Sequence, residues 1–327
     1  MTCDLNRTED QRQILDAAEA MLQAAYPVSR LQDGGPDDLA EIAAFGAYAL
    51  ALPEERGGTG FSLVEEALLH SLFGRALIST NALAAALAAR LAPDEIADAI
   101  IDGSMSVCCA LPNRGRAMLI DGAAAELALI FDGDTLRLAR IADTAQTPAD
   151  GLGHGLAISF TDPVHEIAAS DAAQPRATAD VLISAQLLGG AEAARDLAVD
   201  YAMVRQQFGK PIGAFQAIKH HCANMAIGAE MVSAQLDMAA IALRDGRADA
   251  AFQAAALRRL AGRVALDNAR ICIQVHGGIG FSAEAPAHHY VKRAHLLRRL
   301  GQAPDFLALA AALPPLTPPN EAHHAPS

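Results

Sequence analysis

A mainly α-helical protein with a small β domain in its middle and a four-helix bundle at its C-terminal end is predicted by three observations. Apolar residues recur at helical spacing over 8–101 and again beyond Ala179. Between them, 104–177 breaks into short apolar runs punctuated by Gly, Asp and Pro. Finally, the 327-residue chain is rich in Ala, holds only 4% aromatics and has no Trp, a mixture that packs helices closely but fills a sheet sandwich poorly.

Residues 1–103 are expected to form a helical domain. Ile14, Ala17, Ala18, Met21 and Leu22 make one apolar face. The loop Pro53-Glu-Glu-Arg-Gly-Gly-Thr-Gly60 then breaks the pattern, and Ser62 is placed to cap a helix running to Gly74. In the β domain, 104–177, strands are expected at 105–111, 125–131, 135–141, 156–160 and 165–168. Asp132-Gly133 suits a hairpin turn, and Asn113-Arg114-Gly115-Arg116 a surface turn. In 178–313, helices are expected at 179–206, 215–245, 248–275 and 286–300, the last opening on Pro286. The Pro-rich 314–327 reads as a disordered tail.

Composition narrows the function classes. A net charge of −13 argues against nonspecific nucleic-acid binding, so an anionic ligand needs a local basic pocket. Cys3, Cys108, Cys109, Cys222 and Cys272 have neither disulfide-framework nor metal-ligand spacing, which suggests reduced thiols in a cytoplasmic protein without a metal. His220 and His221 likewise lack ligand spacing. The most apolar stretch, 82–91, is cut by Arg90 and Pro93 and is too short to span a membrane.

Two segments carry chemistry. Residues 205–219 read Arg-Gln-Gln-Phe-Gly-Lys-Pro-Ile-Gly-Ala-Phe-Gln-Ala-Ile-Lys, and 274–281 read Gln-Val-His-Gly-Gly-Ile-Gly-Phe. Arg205 sits where Phe208-Gly209 breaks a helix, and a guanidinium fork there matches a diphosphate. Gly277 and Gly278 let a ligand approach backbone where any Cβ would collide. No Gly-x-Gly-x-x-Gly follows a strand, so this is no Rossmann fingerprint.

At these words the chain resembles the acyl-CoA dehydrogenase family of flavoenzymes, and the likeness reaches along most of its length. The resemblance implies FAD as cofactor, shared between subunits, with Arg205, Phe208, Gln216, Gln274, Gly277 and Gly278 as the cofactor-binding residues and Arg205 at the pyrophosphate. It also implies α,β-dehydrogenation of an acyl-CoA thioester: a carboxylate takes the α proton and the β hydrogen leaves as hydride to the flavin. An electron-transferring flavoprotein is the acceptor it suggests.

The pattern departs at the base. By ungapped count the family's usual glutamate falls at Gly301, with Gln302 next, and neither can take a proton. A second branch places the carboxylate at the start of the first C-terminal helix, where Asp180 stands; the plainer reading of Asp180 is an acid favoured by the helix dipole. Glu284 reads as structural, so the catalytic residue stays unassigned. Cys109-Ala-Leu-Pro-Asn-Arg-Gly115 is the nearest match to the family's flavin-ring loop but lacks its acid and serine. Helix 286–300 carries His288, Lys292, His295 and Arg299 on one face, suited to CoA phosphates, an acidic partner helix or plain solvent. The compact chain, with Gly189-Gly190, Arg195 and the stretch from Tyr201 to Lys219, looks most like subunits of α2β2 enzymes of sterol and bile-acid degradation. Partners implied are an acyl-CoA and a homologous subunit or second copy. The alternative is a non-catalytic scaffold subunit completing a partner's FAD site; an oxidase or monooxygenase on the same fold is a weaker third option.

Overall fold

Helix starts in the N-terminal region follow from side-chain capping. The structure is a computed structural model that describes residues 7–32, 37–122, 125–141, 147–149, 158–161, 163–282, 284–301 and 306–313. Thr8 caps α1 (Glu9–Ala25), its Oγ1 accepting from the Gln11 N–H at 3.2 Å while Gln11 Oε1 accepts from the Thr8 N–H at 3.0 Å. After α2 (Ala40–Ala44), Ser62 caps α3 (Leu63–Arg75) in the same reciprocal way, with Glu65 accepting from the Ser62 N–H at 2.8 Å. Gln11 then donates to Glu65 at 2.6 Å, so one capping residue ties α1 to α3. α4 (Thr80–Leu91) and α5 (Asp94–Ile101) complete this layer.

The middle region is a single seven-stranded sheet in the order β5-β6-β2-β1-β3-β4-β7. Its strands are β1 (Val107–Asn113), β2 (Arg116–Ile120), β3 (Leu127–Asp132), β4 (Thr135–Ile141), β5 (Thr147–Ala149), β6 (Ile158–Thr161) and β7 (Pro163–Ser170). Among the described residues only β1 and β3 pair in parallel, and every other ladder is antiparallel. Asp132-Gly133 forms the expected turn, with Asp132 opposite Thr135 and Gly133 at φ +60°. Asn113–Arg116 is also a turn, but a strand not expected from the sequence, β2, follows it directly, and β5 is a second addition. Thus the Cys109–Gly115 stretch is strand and hairpin rather than an open loop.

The C-terminal helices are α6 (Ala173–Val204), α7 (Gln216–Arg244), α8 (Ala250–His276), α9 (Ala287–Leu297) and α10 (Phe306–Ala311). α6 begins at Ala173 rather than at 179, because Pro175 is tolerated within a first turn whose N–H groups have no helical partners. It is the central element, packed on α3, α7, α8 and α9. A glycine from each helix lets the α3 and α6 backbones meet: a Cβ on Gly189 would lie 1.8 Å from the Ser71 carbonyl oxygen, and one on Gly74 2.0 Å from that of Gln186. Beside this crossing His70 is fully buried with Nδ1 3.1 Å from Gln186 Nε2, and burial, with Arg90 adding, pushes its pKa down to about 3. α7 is long and apolar enough to cross a membrane, yet it buries Met225, Ala229, Val232, Leu236 and Ala239 at helical spacing and packs against α6 and α8 as a bundle helix. The fourth bundle helix, α9, is shorter than expected and starts after Pro286. Gln302 and 314–327 lie outside the described residues.

Candidate functional site at one end of the bundle

Chain direction brings the two motifs together. α6 ends at Val204 and α7 starts at Gln216 at one end of the bundle; α7 runs away, and α8 returns to finish at His276. The ends of α6 and α8 are joined by Tyr201 and His276, whose rings stack at 4.3 Å between centroids. His276 Nδ1 sits 2.8 Å from the Cys272 carbonyl, which can only accept, so this nitrogen carries the proton and the ring is held in one orientation.

From this platform α6 stops because Arg205 leaves helical conformation at ψ 124°. A two-residue hairpin follows, β8 (Gln206–Gln207) with β9 (Lys210–Pro211), and its turn residues Phe208 and Gly209 lie at φ +54° and +75°. Positive φ suits Gly209 but is uncommon for an aromatic residue, so Phe208 is held in a strained corner. Phe208 is 90% exposed and its ring meets that of Phe215 edge-on at 6.1 Å, while Lys210 Nζ stands 4.5 Å over the Phe215 ring. The Ile212 N–H donates to the Arg205 carbonyl at 2.8 Å, fixing the corner. The Arg205 guanidinium projects to solvent and makes no ion pair or hydrogen bond among the described residues. Gln216, in the first turn of α7, is exposed at the same end of the bundle.

On the α8 side Gln274 is exposed, and its carbonyl receives the Gly277 N–H. Gly277 lies at φ 65°, ψ −140°, a conformation that excludes side chains. Gly278 has ordinary φ, and nothing lies within 4 Å of a Cβ placed on it. Gly280 is glycine for a packing reason, since its Cβ would come 2.8 Å from the Ile273 carbonyl. Met203, Val204, Ile279 and Phe281 are large exposed apolar residues around the same end. An open cation, two outward amides and a bare glycine backbone thus share one surface, which can grip an anion and let a flat ligand lie against peptide.

The place expected to hold a base is different. Gly301 lies at φ +72°, and a Cβ there would stand 2.8 Å from Arg176 Nη2. Arg176 is buried and donates to the Gly133 carbonyl and to Asp180 at 3.3 Å. Asp180 is 1% exposed and also faces Arg258 Nε at 3.3 Å, while Arg258 donates to the Leu297 and Leu300 carbonyls at 2.7 and 3.0 Å. Burial raises the Asp180 carboxyl, and the two guanidinium groups beside it work the other way. Asp180 is therefore the anion that binds the β3–β4 hairpin, α6, α8 and the end of α9 together, walled off from any ligand. Glu284 is exposed, its carbonyl accepting from Gln32 at 3.1 Å. Arg176 was not legible as a site residue: only its tertiary contact reveals it.

Two family models match this chain, the acyl-CoA dehydrogenase N-terminal domain over residues 8–98 and its C-terminal domain over 179–301. Acyl-CoA dehydrogenase IpdE2 of Mycobacterium tuberculosis is 31% identical over 269 residues, covering 79% of this chain and 80% of that protein. This chain belongs to the acyl-CoA dehydrogenase family. Members of the family bind FAD. FadE34 of the same organism is 33% identical over 278 residues, but those span 78% of this chain and only 39% of FadE34. Among solved structures, the Tcur3481-Tcur3483 steroid acyl-CoA dehydrogenase variant superposes with TM-score 0.77 at 22% identity, covering 93% of this chain and 98% of that one. Butyryl-CoA dehydrogenase of Megasphaera elsdenii gives TM-score 0.75 at 19% identity, covering 94% and 99%. The family's mainly helical fold with a central sheet is thus present here, though β5 and β7, the sheet's edges, are not paired into a closed barrel among the described residues.

Proposed function

We propose that this chain is one subunit of an FAD-dependent acyl-CoA dehydrogenase and that its bundle end completes a flavin site held chiefly by a neighbouring chain. One observation carries the reading: Arg205, Phe208, Gln216, Gln274, Gly277 and Gly278 gather at a single end of the bundle and all face outward. These residues fit the group. The guanidinium is unpaired among the described residues, and the space over Gly278 is open to a planar ligand. FAD, when bound there, would supply the redox chemistry of α,β-dehydrogenation. Arg205 neutralises the diphosphate, the Gln216 and Gln274 amides hydrogen-bond polar edges, and Phe208 offers an apolar ring. The surrounding Met203, Val204, Ile279 and Phe281 exclude water once a neighbour covers them.

A second reading is favoured by Gly301 and Arg176: this chain contributes no base of its own, and a homologous partner supplies the carboxylate for α-proton removal. The Arg176 guanidinium against Gly301 and a buried Asp180 both support that division of labour. Substrates would be CoA thioesters of sterol or bile-acid side chains or ring fragments. Support comes from the steroid acyl-CoA dehydrogenase among the similar structures and from the ChsE4–ChsE5 complex of Mycobacterium tuberculosis, TM-score 0.72 at 21% identity. A cytoplasmic location and an electron-transferring flavoprotein as acceptor complete the proposal. The test is purification of this chain alone and after co-expression with a homologous subunit. A colourless single chain that ignores added FAD, and a yellow complex bleached by acyl-CoA, are expected. A yellow, substrate-bleached single chain would contradict the division of labour, and a colourless complex would contradict the flavin site.

A further inference from the structure

Away from the Arg205 corner, one face of α8 and Arg298, just past α9, border an open groove of about 600 Å3 whose polar lining is all arginine: Arg258, Arg259, Arg263 and Arg298. That volume lies within the range of small-molecule sites. Arg258 is buried and committed to Asp180 and the α9 carbonyls, forming the floor. Arg259 and Arg263 stand one turn apart on the exposed face of α8, a spacing at which like charges repel. Arg298 leans across from the end of α9 and lies against Gly262, where a Cβ would meet its Cγ at 3.2 Å; the glycine makes room for this third cation. The side chains of Arg259, Arg263 and Arg298 make no ion pair or hydrogen bond among the described residues. Three open guanidinium groups converging in a chain of net charge −13 are a local reversal of the protein's field. His295 nearby has its imidazole held below the ordinary value by burial first and then by Arg270, Arg298 and Arg299, of which only Arg298 lines the groove.

The geometry points to a second anion site, distinct from the Arg205 corner, in which Arg259, Arg263 and Arg298 bind the diphosphate of a small molecule. Planar forks approaching from two helices can each give paired hydrogen bonds to phosphate oxygens, which a single lysine-like point charge cannot. A diphosphate supplies enough acceptor oxygens for all three forks, where a single carboxylate does not. The inference does not depend on the flavin reading.

The test is calorimetric titration of the full-length chain with inorganic pyrophosphate, ADP and citrate, alongside Arg263→Gln, Arg298→Gln and Arg205→Ala. Saturable pyrophosphate binding with Kd below about 1 mM is expected. It should weaken about tenfold or more in Arg263→Gln and in Arg298→Gln, persist in Arg205→Ala, and fall with added salt. Tighter binding of ADP would extend the site to a nucleotide, whereas equal binding would restrict it to the diphosphate itself. The proposal is overturned if pyrophosphate shows no saturable binding, if citrate binds equally well, or if the loss follows Arg205→Ala instead. All substituted side chains are exposed, so an unchanged thermal midpoint in each variant separates lost binding from lost fold.

Discussion

Replacing Asp180 by Asn keeps the shape of the side chain and removes one negative charge from between two buried arginines. The carboxylate faces Arg176 and Arg258 at 3.3 Å each, and the three side chains are 8, 2 and 5% exposed in the order Arg176, Asp180, Arg258. Losing one partner of a buried ion pair costs about 3–5 kcal/mol, because the remaining charge stays desolvated. Here the lower end applies, since Arg258 keeps its Leu297 and Leu300 carbonyls and Arg176 keeps Gly133. About 3 kcal/mol is a large share of the roughly 5–15 kcal/mol that holds a domain folded. Urea unfolding should therefore show a clear drop in midpoint with little change in slope. Asp134→Asn is the control: it also faces Arg176, at 3.8 Å, but is 84% exposed, and should change stability by less than about 0.5 kcal/mol. In the assembled flavoprotein, bleaching by substrate should survive Asp180→Asn at temperatures where the variant is folded. Unchanged stability together with abolished bleaching would show that Asp180 is the base and that its burial has been misjudged.

Other consequences follow from the same contacts. Gly189→Ala places a Cβ 1.8 Å from the Ser71 carbonyl and must push α3 from α6; a loss of at least about 3 kcal/mol, or failure to accumulate folded protein, is expected in chemical denaturation. His70 has a folded pKa of about 3 against an ordinary value of 6.5, so the unfolded chain binds the extra proton between those limits. Stability from this group is complete above pH 6.5 and falls by about 1.4 kcal/mol per unit as pH drops toward 3; His70→Gln should flatten that slope in pH-dependent unfolding. Gly278→Val fills open space, so the unfolding midpoint should hold while FAD content of the complex drops several-fold; a loss of stability instead would mean that the glycine serves the fold.

Much of the fold was legible because its signals are local. Ser62 before α3, Pro286 before α9 and Asp132-Gly133 between strands each act within a few residues, and each marks the boundary it predicts. β2 was missed because its five residues begin with an exposed Arg116 directly after a turn, leaving too short an apolar run to read. The early turns of α6 were missed for a different reason. Asp180 reads as an acid favoured by the helix dipole or a possible base, and only Arg258, far along the chain on α8, explains why it and Arg176 are buried. The site divides in the same way. Words such as Arg205 to Lys219 and Gln274 to Phe281 place chain-breaking glycines beside polar side chains, and alternating helix directions bring them to one end. The Tyr201–His276 stack that joins those ends, and the Arg176 guanidinium against Gly301, are encounters between distant segments that no local pattern encodes.

The central claim is that an outward guanidinium on this chain grips a flavin nucleotide bound mainly elsewhere. Its most direct measurement is the ratio of flavin to protein absorbance in the co-expressed complex when this chain alone carries Arg205→Ala. The account predicts an assembled complex of normal size that loses FAD on dialysis about tenfold more readily than the parent. Full retention of FAD by that complex would contradict it.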